Sequence, residues 1–67
     1  MTDYLRSGFI EELELEKREL DKLKKRINST LSRVRPYMSG EGSIAIRNAV
    51  DGLNMATDGM EEIRRDL

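Results

Sequence analysis

The stretch Val34-Arg35-Pro36-Tyr37-Met38-Ser39-Gly40-Glu41-Gly42-Ser43 decides how this chain folds. It contains the only proline, and its glycines interrupt a sequence that is otherwise rich in helix formers on both sides. Pro36 disfavours helical geometry at Arg35, so a first helix is expected to close there. Ser43 fits the N-cap of a second helix. The pattern therefore predicts an all-α fold, an antiparallel two-helix hairpin in one domain over residues 1–67. Its expected parts are a helix at about 9–35, a loop at 36–42 and a helix at about 43–66.

The apolar spacing on each arm supports this. Upstream, Phe9, Leu13, Leu20, Leu23, Ile27, Leu31 and Val34 recur at threes and fours, with one gap of seven around Glu16 and Lys17. A helix from Phe9 to Arg35 would be about 40 Å long at 1.5 Å per residue. Ser7-Gly8 is expected to set off a short N-terminal turn, capped by Thr2 or Asp3. Downstream, Ile46, Val50, Leu53, Met60, Ile63 and Leu67 make a stripe of large residues, and Ala45, Ala49, Gly52, Ala56 and Gly59 make a neighbouring stripe of small ones. Glycine inside a helix costs about 1 kcal/mol against alanine, and close approach of another backbone is the usual compensation. A homo-oligomer is expected to bury Ala45, Ala49, Gly52, Leu53, Ala56, Gly59 and Met60.

Composition narrows the function. The 67 residues hold 12 Lys and Arg, 13 Asp and Glu, no His and no Cys. Disulfides, thiol nucleophiles and His- or Cys-based metal centres are excluded, and no cofactor, metal or catalytic residue is expected. Without a histidine, a cysteine or a Gly-framed nucleophile turn, and with no deep pocket in a hairpin, the chain is not expected to be an enzyme. Charged residues are 37% and Tyr4, Phe9 and Tyr37 are the only aromatics, a balance that suits helices burying one stripe each. The longest apolar run, Ile44-Ala45-Ile46, is too short for a membrane span or a signal-peptide core. The default expectation is a cytoplasmic protein with no membrane partner.

The near-zero net charge conceals an asymmetry. Residues 3–21 carry seven acids against three bases, while residues 22–35 carry six bases and no acid. That order complements the helix macrodipole. The turn also gathers Arg33, Arg35 and Arg47 beside the amides of the Gly-rich loop, an arrangement suited to phosphate. Tyr37 offers a face for base stacking. Lys24-Lys25-Arg26 resembles a nucleic-acid patch, but the slightly acidic chain, with one aromatic nearby, argues against such a partner.

From Gly40-Glu41-Gly42-Ser43-Ile44-Ala45-Ile46 onward the sequence resembles the phage helical-hairpin sponges of the anti-CBASS and anti-Thoeris type. Their motif reads roughly Arg-Glu-x-Ser-Leu-Ala-Leu-Thr-Lys-Leu-Glu-Glu-Ala, followed by an apolar pair ending in Trp. Glu41, Ser43, Ile44, Ala45 and Ile46 fall in step with it, and Gly52, Leu53, Met55, Ala56 and Met60 continue it with similar or smaller side chains. Gly40 stands in place of the family's Arg, Arg47 of Thr, Asn48 of Lys, Ala49 of Leu and Met55 of Trp. The resemblance implies symmetric oligomers that sequester a cyclic dinucleotide or related cyclic nucleotide immune signal between protomers without converting it, in a host bacterial cytoplasm. It implies that Ser43 bonds a phosphate or orients the loop, that Glu41 holds a base edge or a cation, and that Arg47, Arg33 or Arg35 neutralises phosphate. The alternative from the same stripes is a small coiled-coil adaptor whose ligand is a partner helix. A third, an RNA-binding hairpin dimer, would bind with a steep salt dependence.

Overall fold

A computed structural model describes residues 2–67. Two α-helices, α1 (Asp3–Val34) and α2 (Glu41–Asp66), are joined by a 3-10 turn at Arg35–Tyr37 and the short link 38–40. They pack as an antiparallel pair measuring 51 × 17 × 10 Å. No helix among the described residues is long and apolar enough to cross a membrane.

α1 is one unbroken helix and starts earlier than the spacing predicted. The Thr2 hydroxyl accepts from the Leu5 N–H at 3.4 Å, capping it. No break occurs at Ser7-Gly8. Once a long helix is nucleated each further residue adds a hydrogen bond at little cost, and a side chain at Gly8 would meet open space, so nothing deflects the chain there. At the other end Arg35 stays in the right-handed helical region (φ −50°, ψ −42°) in spite of Pro36, and its N–H closes α1 on the Leu31 carbonyl. Proline falls in the first turn of the 3-10 segment, where its missing N–H is not needed. α2 begins at Glu41 rather than Ser43, with Gly40 as its N-cap.

Only one seam holds the helices together, and among the described residues only Ile46 and Thr57 are buried, at 7% and 6% exposure. Thr57 fills the slot between Leu53 and Met60 that the large-residue stripe left empty. Its hydroxyl donates to the Leu53 and Asn54 carbonyls at 3.2 and 2.9 Å, so burying it leaves no unmet donor. Ile63, Phe9 and Leu23, expected in the apolar stripes, are 55%, 45% and 44% exposed. The register is marked by Arg64, which reaches Glu14 at 2.6 Å, and by Lys17, which reaches Glu61 at 3.4 Å. Continuing that register one turn further sets Leu67 level with Glu11. Both pairs are solvent-exposed and contribute at most about 1 kcal/mol each.

Among the described residues one side-chain polar atom is unmet: the Asn28 Oδ1 is buried with no hydrogen-bond partner. A buried acceptor without a partner costs about 1–3 kcal/mol. Asn28→Leu, of similar size and better helix propensity, is expected to raise unfolding stability by about 1 kcal/mol in urea melts. A loss of stability would show that the amide makes a contact that matters.

Candidate functional site

The hairpin tip is shaped by two glycines with different jobs. Gly40 takes φ +56°, the left-handed region that a side chain disfavours, and so turns the chain into α2. A Cβ on Gly42 would come within 2.8 Å of the Met38 Sδ, so this glycine lets the link fold close over the first turn. Ser43, expected as the cap, instead donates its hydroxyl to the Met38 carbonyl at 3.4 Å and braces the link against the helix. The Gly42 N–H donates to the Ser39 carbonyl at 3.2 Å, which withdraws one amide from the predicted phosphate cradle.

Arg35, Ser43 and Arg47 line one shallow groove of about 340 Å³ together with Val50 and Asp51. Three of the six predicted ligand residues are thus brought together. Arg33 points back along its own helix, its guanidinium donating to the Ser29 carbonyl at 3.4 Å and the Thr30 hydroxyl at 3.2 Å. Tyr37, 85% exposed on the 3-10 turn, and Glu41, exposed at the start of α2, stand outside the groove. Asp51 is the residue that sequence reasoning missed. It lies four residues after Arg47, on the same helix face, and that spacing was the available signal. The groove is therefore two arginines and a hydroxyl opposed by one carboxylate.

Of the predicted oligomer residues, Ala45, Ala49, Gly52 and Ala56 are exposed, and a Cβ built on Gly52 or Gly59 meets nothing within 4 Å. Leu53, Gly59 and Met60 are half-buried. Among the described residues no group of acidic side chains is placed to hold a metal ion. No protein-family model matches this chain, and comparison with curated proteins and with solved structures finds no match.

Because the left-handed turn at Gly40 sets how the link meets α2, Gly40→Ala is expected to lower stability by about 1 kcal/mol. Gly8→Ala, in an ordinary helical position with free space around it, is expected to raise it by a similar amount. Thermal melts of the two variants check this, and shifts of the same sign would contradict it.

Proposed function

We propose that this hairpin binds and sequesters a cyclic nucleotide signal at its tip without chemical conversion, antagonising anti-phage defence as a cyclic-dinucleotide sponge. The observation that carries the proposal is the convergence of Arg35, Ser43 and Arg47 on one groove at the first turns of α2. Two guanidiniums placed there match a phosphodiester, and the positive end of the α2 dipole adds to their field. Tyr37, exposed on the adjoining turn, is the proposed stacking platform, and Glu41 the proposed partner for a base edge. Sequestration requires tight stoichiometric binding and no catalytic group. The resemblance at residues 40–46 points to the same class of ligand.

Asp51 works against an anion in the groove and sets a sharp test. In calorimetry with a panel of cyclic dinucleotides, Arg47→Ala should weaken binding about ten- to a hundredfold, the loss of one charge-assisted hydrogen bond of about 1.5–3 kcal/mol. Asp51→Asn should tighten it, and Glu14→Ala, at the far end of the hairpin, should leave it unchanged. The nucleotide released by heat should be recovered intact. Binding that survives the double change Arg35→Ala and Arg47→Ala would place the site elsewhere.

The second reading, an adaptor that docks a partner helix, is favoured by the exposed row Ala45, Ala49, Gly52 and Ala56. It takes over if no cyclic nucleotide binds the unmutated protein or raises its melting temperature.

A further inference from the structure

The groove at the tip holds opposed charges that do not neutralise one another. Arg35 and Arg47 bring two positive charges to it, and Asp51 brings one negative. A carboxylate four residues from an arginine ordinarily serves as its ion-pair partner along the helix. Here the order is the weaker one, with the cation on the N-terminal side. Among the described residues the ion pairs are Glu14–Arg64 and Lys17–Glu61, so neither Arg35, Arg47 nor Asp51 spends its charge in one. The Ser43 hydroxyl donates to the Met38 carbonyl, which leaves the two guanidiniums as the donors facing a ligand. The same face of α2 changes sign beyond Arg47. Arg47, Asp51, Asn54 and Asp58 follow at intervals of four, three and four and are all exposed, so from Asp51 to Asp58 the face carries two carboxylates and no cation.

We infer that Asp51 sets the charge class of the ligand, favouring a phosphodiester with its single negative charge over a phosphate monoester or a polyphosphate. This rests on the reading of the tip as a phosphate site and names what that reading leaves open. Two cations and one carboxylate leave the groove one positive charge, which a phosphodiester matches. A monoester carries about −1.5 to −2 at pH 7 and brings more negative charge than the groove can balance. A polyphosphate running inward from Arg47 meets Asp51 and then Asp58. A chain that sequesters a cyclic nucleotide has to refuse the mononucleotides and triphosphates that share its bases, and bases alone do not separate them.

The size of the effect follows from the charges. Side chains one helical turn apart are separated by about 6 Å. At that distance, in water-like surroundings, each unit of ligand charge shifts binding roughly threefold. Asp51 therefore disfavours a monoanion about threefold and a dianion about tenfold.

The experiment is a nuclear magnetic resonance titration at pH 7.5 and low ionic strength, where exposed charges are least screened. The probes are dimethyl phosphate, a monoanionic diester, and methyl phosphate, a dianionic monoester, followed through the amides of residues 43–51. Neither probe carries a base, so the readout is charge alone. Asp51→Asn should raise affinity for methyl phosphate about tenfold and for dimethyl phosphate about threefold. Asp51→Gln, likewise neutral and a better helix former, carries the same expectation, and Asp51→Glu should leave both affinities near their unmutated values. Equal gains for the two probes, or no gain, overturn the inference, and the tip stays a phosphate site so long as dimethyl phosphate still moves those amides. If neither probe moves them in any of these proteins, the inference and the phosphate reading fall together. If the probes behave as expected and no cyclic dinucleotide binds, the charge rule stands and the sponge reading alone falls.

Discussion

Two helices side by side can share only one seam, and this limit governs the molecule. Each helix has a single neighbour, so the widest apolar stripe either can satisfy is the width of one contact. Among the described residues only Ile46 and Thr57 are buried, and the radius of gyration, 15.8 Å, exceeds the roughly 11 Å of a compact chain of this length. A core this thin offsets little of the conformational entropy lost on ordering the chain.

The seam also sorts the chemistry. Charged residues that reach across it, Glu14 to Arg64 and Lys17 to Glu61, mark one side as solvated, and the two tip arginines that line the groove open on the same side. The alanines and glycines of α2, with Phe9 and Leu23 of α1, are left for the other. The side with the groove and the ion pairs is thus charged, and the other carries the exposed alanines and Gly52 of α2. The charge polarity of α1, acidic toward its start and basic toward its end, complements its own dipole.

The fold was legible because its signals are local and strong. Pro36 with the following glycines marked the turn, and the spacing of three and four along Leu20, Leu23, Ile27, Leu31 and Val34 marked the helix. The boundaries were less legible, for reasons that lie in propagation and cap geometry. Gly8 is a weak breaker inside a long helix, Arg35 accepts helical angles because the 3-10 turn accommodates the proline, and a left-handed glycine capped α2 where Ser43 was expected. Thr57 falls outside the stripe of large apolar residues, yet it is buried because its hydroxyl is satisfied on the preceding turn. At the tip, residue type and rough position brought Arg35, Ser43 and Arg47 together. Arg33 was lost because its guanidinium finds partners on its own helix, and Tyr37 and Glu41 because the turn carries them outside the groove.

We propose that one seam is not enough for this chain, so that its folding and association are linked. Urea unfolding followed by circular dichroism over a hundredfold range of protein concentration tests it most directly. Linkage to a two-chain state shifts stability by about 2.7 kcal/mol over that range, which moves the midpoint by about 1 M or more. A midpoint that does not move with concentration, for a chain that is fully helical as a monomer, would contradict the account.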